Sequence, residues 1–315
     1  MNQHTEHFKT EDSFDISKAL SILWNSKYRI IGFTLACIIF SIVYSLSLPN
    51  IYTSSAILKI NDESASQTSS IISQYTGIAS MAGISLPSKS ADKMQYAIQT
   101  LKSKEFVKSI IFEEDNLPNL MAAKEYDYKN KNIIYDETIY DASTKKWLRS
   151  PNQGRYSKPS YVEVFETSYN SNYSARKDMK SGFLIVSFSH ISPQFSYSFL
   201  KKSIEMLNKI SREKDLSESQ QALDYLYKKL SEVEQKEVRE SINALIESQL
   251  KIQMLGNIRE DYLVSLIDPP FLPETKSSPK RSQIVILATI LGFMFAILIV
   301  FIRETVFVNE SKGDL

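Results

Sequence analysis

The pattern of apolar positions is dominated by two uncharged runs, one near each end of the chain. Residues 30–48 read IIGFTLACIIFSIVYSLSL, and residues 284–302 read IVILATILGFMFAILIVFI. As a helix, each run is about 28 Å long, close to the ~30 Å thickness of a bilayer's hydrocarbon core. The runs therefore predict two transmembrane helices. Such helices place the tails, residues 1–29 and 303–315, on one side of the membrane and residues 49–283 on the other.

Between the two runs, the pattern predicts a mixture of strands and helices. Residues 51–60 and 181–190 are rich in β-branched and apolar residues and predict strands, and residues 262–267 predict a closing strand. Apolar positions at helical spacing predict a helix over residues 92–112. Residues 75–85, YTGIASMAGIS, are small, apolar and punctuated by glycine, which indicates a buried turn or a subunit-contact loop.

A long helix is predicted over residues 194–255, which contain neither glycine nor proline. Ser192 and Pro193 supply its N-cap and first-turn proline. We expect a break near residues 211–219, and the apolar stripe slips in phase across residues 234–237. A helix of this length cannot bury its stripe in a small loop domain alone, so we expect contact with other copies of the chain. The stripe consists of Leu216, Leu223, Leu226, Leu230, Val233, Val238, Ile242, Leu245, Ile252 and Leu255.

The segments next to the two apolar runs also have distinct patterns. In the tail of residues 1–29, residues 15–24 carry apolar positions at helical spacing, and Trp24 and Tyr28 lie just before the first span. This pattern predicts a short interfacial helix that steadies the span. Residues 268–280 predict an extended, stiff segment because proline disfavours helix. Its prolines are Pro269, Pro270, Pro273 and Pro279. The predicted fold class is α+β: two transmembrane helices flank an α/β base domain with a long extended helix.

Small residues recur within both predicted spans. Ala288, Gly292 and Ala296 follow one another at intervals of four in the second span, and Gly32 and Ala36 do so in the first. Faces of small side chains let membrane helices approach closely, so these five residues are the predicted transmembrane packing positions. The alternative is that glycine and alanine are simply common in membrane helices.

Composition excludes several classes of function. The net charge is +1, which gives no global attraction to nucleic acid or to anionic lipid. The single cysteine, Cys37, lies inside the first span, and the three histidines, His4, His7 and His190, form no paired metal motif. The sequence contains no phosphate-binding glycine loop, and the spans carry no ionisable residue. We therefore predict no catalytic residue, no metal and no cofactor.

Charge asymmetry around the first span indicates its orientation. Lys18, Lys27 and Arg29 precede the span, and the next basic residue is Lys59, which places the N-terminus in the cytoplasm. The charges around the second span argue weakly the other way, but long loops translocate largely regardless of charge. A cleaved signal peptide fits poorly, because the apolar run is too long and no small-residue cleavage site follows it. In a bacterium, residues 49–283 are then periplasmic and the protein spans the inner membrane.

At this point the sequence resembles the polysaccharide co-polymerases, the Wzz-type chain-length determinants of bacterial surface polysaccharides. The strongest part of the resemblance is residues 245–281, LIESQLKIQMLGNIREDYLVSLIDPP followed by FLPETKSSPKR. Also similar are DISKALSILWNSKYRI before the first span, PNIYTSSAILKI after it, and GIASMAGIS. AIQTLKSKEFVKSII and HISPQFSYSFLKKSIEMLN continue the match. The order of these segments and the positions of the spans make the resemblance specific.

The resemblance implies a non-enzymatic function. It implies a ring of identical subunits that biases how many repeat units a membrane polymerase adds to a glycan, with the growing glycan as a further partner. Some relatives carry a cytoplasmic tyrosine kinase, which the short tail after residue 302 leads us not to expect here. The alternatives are an adaptor for capsule or exopolysaccharide export, an activator of a separate tyrosine kinase, a two-span sensor and a tethered periplasmic enzyme.

Overall fold

The computed structural model describes residues 23–61, 90–114, 116–150 and 155–310. The chain divides into two compact units: residues 51–277 form one, and the described parts of residues 1–50 and 278–315 form the other. The second of these units contains α1 (Lys27–Ser47) and α9 (Arg281–Glu310), which are long and apolar enough to cross a membrane. The structure therefore confirms the predicted α+β class with two apolar helices at the ends of the chain.

The unit formed by residues 51–277, called the body below, contains eight strands and several helices among the described residues. The strands are β1 (Tyr52–Ile60), β2 (Ala123–Asp127), β3 (Asn132–Tyr135), β4 (Tyr140–Asp141), β5 (Lys146–Trp147), β6 (Tyr173–Lys177), β7 (Leu184–His190) and β8 (Val264–Asp268). The helices are α2 (Ser90–Leu101), α3 (Lys104–Glu114), α4 (Leu117–Met121), α5 (Tyr161–Val164), a π-helical turn (Phe165–Tyr169), α6 (Asn170–Asn172), α7 (Pro193–Glu232) and α8 (Lys236–Ile258).

The main sheet has four strands in the order β6-β7-β1-β8, and every neighbouring pair is antiparallel. β1 and β7 pair from Tyr52 with His190 to Leu58 with Leu184. Alternate residues of both strands are buried, as expected for a sheet with one face on a core. The three strands predicted from apolar pattern are confirmed as β1, β7 and β8, with ends that differ by up to three residues. β2 to β5 form two small hairpins in a region that the pattern left unassigned.

The first half of α7 covers the buried face of the sheet and lies against β1 and β7. Phe195 and Phe199 pack around Phe188 of β7, with ring centroids 6.0 Å and 4.3 Å from it. Ser192 caps the helix, since its hydroxyl accepts a hydrogen bond from Phe195 N–H at 3.2 Å. The predicted cap and first-turn proline are therefore confirmed.

Asn208, buried in α7, fixes the edge strand β8. Its Oδ1 accepts hydrogen bonds from the backbone N–H groups of Leu263 and Val264, both at 2.9 Å. Its Nδ2 donates to the carbonyl of Val264 at 3.0 Å. One side chain thus satisfies three backbone groups that an edge strand leaves unpaired.

The helix predicted over residues 92–112 is two helices, α2 and α3. Ser103 lies between them, and its hydroxyl accepts a hydrogen bond from Phe106 N–H at 3.1 Å, which starts a new helix. Apolar periodicity continues through the break because both helices face the same core. The pattern alone therefore concealed the boundary.

The long helix predicted over residues 194–255 is also two helices, and the predicted break near residues 211–219 is wrong. The chain stays helical there and breaks at residues 233–235, where the apolar stripe slips in phase. α8 then runs back along α7 as an antiparallel hairpin. Ser219 Oγ donates to the carbonyl of Gln249 at 2.9 Å, and Gln253 Nε2 donates to the carbonyl of Leu216 at 2.8 Å.

This hairpin buries part of the apolar stripe within a single chain. Five residues of the stripe region form one buried cluster: Leu223, Leu226, Ile242, Leu245 and Ile246. The other six residues of the stripe are half-buried, so the expected contact with other copies of the chain stays a prediction. The predicted turn or contact loop at residues 75–85 and residues 1–22 lie outside the described residues.

Candidate functional site

The candidate functional site is the pair of apolar helices, and the proline-rich segment of the body is described by itself below. α1 and α9 pack against each other in antiparallel directions. Ile30 of α1 forms a buried cluster with Ala296 and Val300 of α9. Ser41 and Ser45 are the other buried residues of α1, and because eleven residues make about three helical turns, Ile30 and Ser41 lie on the same face of the helix.

Gly292, one of the predicted packing positions, lies directly against α1. A Cβ atom at position 292 would lie 2.8 Å from the Cβ and 3.0 Å from the Sγ of Cys37. Ala296 is buried on the same face of α9, and Ala288 is half-buried. The stripe of small residues on α9 thus lies along α1, and only glycine fits at position 292 without a shift of the backbone.

The small residues predicted on α1 lie elsewhere. Gly32 and Ala36 are exposed, and a Cβ atom at position 32 would meet nothing within 4 Å. Within one chain, Gly32 and Ala36 therefore do not face the small residues of α9, Ala288, Gly292 and Ala296. The role of Gly32 and Ala36 in packing stays a prediction, and it concerns contact with another chain.

Arg281 is a residue of the site that the sequence analysis did not single out. It is the first residue of α9, and its guanidinium donates to the carbonyl of Ser45 at 3.1 Å and to Asn50 Oδ1 at 3.2 Å. A longer hydrogen bond, 3.5 Å, reaches the carbonyl of Leu48. The last carbonyls of a helix lack partners within the helix and carry its negative dipole end, so a cation there is favourable. Arg281 therefore caps α1 from the start of α9.

The proline-rich segment contains neither helix nor strand between residues 269 and 277, as predicted. It is attached to the start of β1 by polar contacts. Ser54 Oγ donates to the carbonyl of Phe271 at 2.7 Å, and Ser277 N–H donates to the carbonyl of Ile51 at 2.9 Å. Of the four prolines, Pro273 is buried, Pro270 and Pro279 are half-buried, and Pro269 is exposed.

Residues 126–173 form a tyrosine-rich region of the body, and most of their aromatic rings pack within the body. Tyr126 and Tyr128 meet edge to face at 5.0 Å, and Tyr140 lies 4.9 Å from Trp147. Tyr169 is fully buried and donates a hydrogen bond to the carbonyl of Leu101 at 2.8 Å. These contacts support core packing as the main role of the region.

His190 is buried at the end of β7 and belongs to the framework. Its Nδ1 accepts from Ser192 N–H at 3.1 Å, and its Nε2 lies 2.9 Å from the carbonyl of Asn119, which fits a neutral ring protonated on Nε2. Burial lowers the pKa of His190 to about 4. Among the described residues, no group of three or more His, Cys, Asp or Glu side chains is arranged to hold a metal ion.

Two family models match the sequence. Residues 12–114 match the model of the chain length determinant protein, and residues 220–305 match that of a G-rich domain on putative tyrosine kinases. These matches confirm the resemblance found in the sequence. No curated protein sequence matches the chain.

Solved structures similar to this chain include two polysaccharide co-polymerases. A full-length bacterial polysaccharide co-polymerase is 15% identical, with a TM-score of 0.38, over 92% of this chain and 98% of that one. A fragment of WzzB, a polysaccharide co-polymerase from Salmonella Typhimurium, is 10% identical, with a TM-score of 0.30, over 73% of this chain and 100% of that one. At these scores the superpositions are too loose to carry residue roles from those proteins to this chain.

Proposed function

We propose that this chain belongs to the chain length determinant family and is a non-enzymatic regulator of polysaccharide chain length in a bacterial inner membrane. Its glycan would be an O-antigen or a related surface polysaccharide. The observation that carries the proposal is the family match over residues 12–114, which spans the first apolar helix and β1. The apolar helices at both ends of the chain support a membrane-tethered regulator.

The proposed topology follows the charges around α1. Lys27 and Arg29 begin the helix, and the next basic residue is Lys59, so we place the tails, residues 1–29 and 303–315, in the cytoplasm. The spans are then residues 30–48 and 284–302, and residues 49–283 form the periplasmic domain. A cysteine introduced at Met179, which is exposed, should react with a membrane-impermeant maleimide in intact spheroplasts.

The proposed mechanism assigns separate roles to the membrane helices, to the body and to the proline-rich segment. The chain acts as a ring of identical copies that holds a repeat-unit polymerase near the membrane helices, while the body engages the growing glycan. The exposed small-residue face of α1, Gly32 and Ala36, is the proposed contact for another membrane helix. The proline-rich segment transmits position between the body and α9, since it is hydrogen-bonded to β1 and leads into that helix.

The length distribution of the surface polysaccharide on a gel tests this proposal, first with the gene deleted and then restored. Loss of a preferred length, with short and random chains remaining, is the expected result. Return of the preferred length on restoration confirms that the chain is responsible. An unchanged ladder after deletion contradicts the proposal.

A second function is favoured by the match of residues 220–305 to a domain found on putative tyrosine kinases. In this alternative, the chain is a membrane adaptor for capsule or exopolysaccharide export, or an activator of a separate kinase. Loss of all surface polymer in the deletion strain would support it. A repeat-unit polymerase and flippase among the neighbouring genes favour length control, whereas an ATP-driven exporter favours the adaptor.

A further inference from the structure

Basic and aromatic side chains cluster at one end of the helix pair, around the start of α1. Lys27 Nζ lies 4.8 Å from the centroid of the Trp24 ring and 5.4 Å from that of the Tyr28 ring. Trp24 is 72% exposed and Tyr28 is 78% exposed, so neither ring belongs to the core of the chain. Exposed Trp and Tyr rings with a nearby cation are typical of the headgroup level of a bilayer.

Arg303 of α9 belongs to the same end of the pair. Ile30 packs against Val300, and Arg303 follows Val300 by one helical turn, about 4.5 Å along the axis. Within residues 23–31 and 296–304, three residues are basic, Lys27, Arg29 and Arg303, and one is acidic, Glu304. Among the side chains that the structure describes, which end at residue 303, none forms an ion pair with Lys27 or Arg303.

We propose that this end of the helix pair binds the headgroup of an anionic phospholipid, whose phosphate contacts Lys27 and Arg303. The rings of Trp24 and Tyr28 then flank the headgroup. The occupant is a lipid because exposed apolar side chains, Ile31 and Ile302 among them, continue from the cluster along both helices. A phospholipid matches both the basic cluster, through its anionic head, and the apolar helix surface, through its acyl chains. A free anion matches the basic cluster alone.

This site goes beyond the proposed control of glycan length and does not depend on it. The full chain, reconstituted in nanodiscs of equal phosphatidylglycerol and phosphatidylcholine, is transferred to dodecyl maltoside, and the retained lipids are counted by mass spectrometry. Each basic residue at a membrane surface favours an anionic lipid by roughly fivefold. We therefore expect phosphatidylglycerol to be enriched severalfold among the retained lipids, and less so at high salt.

In the variant K27Q/R303Q, the ratio of phosphatidylglycerol to phosphatidylcholine among the retained lipids should fall to near one. Its charge-matched control, K180Q/K251Q, removes two exposed lysines of the body and should keep the enrichment. Melting temperatures of the two variants, measured in phosphatidylcholine alone, establish that both are folded. An equal loss in both variants, no enrichment in the wild type, or displacement of the lipid by inorganic phosphate would overturn the proposal.

Discussion

The contact between Gly292 and Cys37 gives the sharpest prediction for the helix pair. In G292A, the new Cβ would lie 2.8 Å from Cys37 Cβ, whereas carbon atoms in ordinary contact are about 3.5–4.0 Å apart. The helices must separate by about 1 Å, because both atoms are attached directly to the backbones. Overpacking of this kind typically costs ~1–3 kcal/mol.

Gly32 supplies a matched control for this substitution. Replacing glycine by alanine inside a helix gains up to about 1 kcal/mol of helix propensity at either position. A Cβ at position 32 meets nothing within 4 Å, so G32A keeps this gain without a clash. The difference between the two variants therefore isolates the contact, and we expect G292A to be less stable than G32A by about 1–3 kcal/mol.

The assay is dissociation of the helix pair in mixed dodecyl maltoside and SDS micelles. Energy transfer between dyes on cysteines introduced at Asn25 and Ile302 reports the separation of the helices. The reference chain carries C37A, which removes the competing thiol and keeps the Cβ. Replacing this alanine by glycine removes the Cβ and should restore most of the stability that G292A loses. Equal stabilities for G292A and G32A, or no rescue by glycine at position 37, would refute the packing described for α1 and α9.

Three further predictions concern the body and the cap of α1. The pKa of His190 is about 4 in the folded chain and 6.5 in the unfolded chain, so protonation of this residue costs no stability above pH 6.5. Between pH 6.5 and pH 4 the free energy of unfolding should fall by roughly 3 kcal/mol, as measured by urea titrations at a series of pH values. In H190Q this fall should be smaller. N208A should lower the free energy of unfolding by roughly 2–4 kcal/mol in the same titrations, because three buried backbone groups lose their hydrogen-bond partner. In the control N257A, the side chain that is lost donates to the carbonyl of Gln253 within α8, and the decrease should be less than about 1 kcal/mol. R281Q should speed hydrogen exchange at residues 45–50 severalfold without changing exchange in the sheet; unchanged exchange there would contradict the cap.

Local pattern was enough to predict the apolar helices and three of the four strands of the main sheet, β1, β7 and β8. β1 and β7 were predicted from their β-branched and apolar residues, and in the structure buried and partly exposed residues alternate along both. Ser192 and Pro193 marked the start of α7 because capping chemistry is local. The short hairpins β2–β3 and β4–β5 were not predicted, because strands of two to five residues carry too little pattern to recognise.

The break in the long helix shows what local pattern does not determine. The change of phase across residues 234–237 was visible, yet it was interpreted as a slip within one helix, and the break was expected earlier. No glycine or proline marks the turn at residues 233–235. The hairpin is favoured because it lets Leu223 and Leu226 bury against Ile242 and Leu245, a long-range contact that the order of residues along one helix does not reveal.

The small-residue faces of the spans were recognised from spacing, but their partners were not. Gly292 and Ala296 lie against α1, whereas Gly32 and Ala36 lie away from α9. Spacing identifies which residues share a helix face, and the register of two helices decides which faces meet. Arg281 was missed for a similar reason, since its three acceptors lie more than 230 residues earlier in the chain.

Controlled expression of the chain in a deletion strain, with the polymerase unchanged, tests the central claim most directly. The measurement is the gel distribution of surface polysaccharide lengths at increasing levels of the chain. If the chain regulates length, a preferred length will appear and gain intensity at the expense of random chains, while the total polymer stays constant. If instead the total polymer rises with expression and no preferred length appears, the chain acts in export or synthesis and the account of length control is wrong.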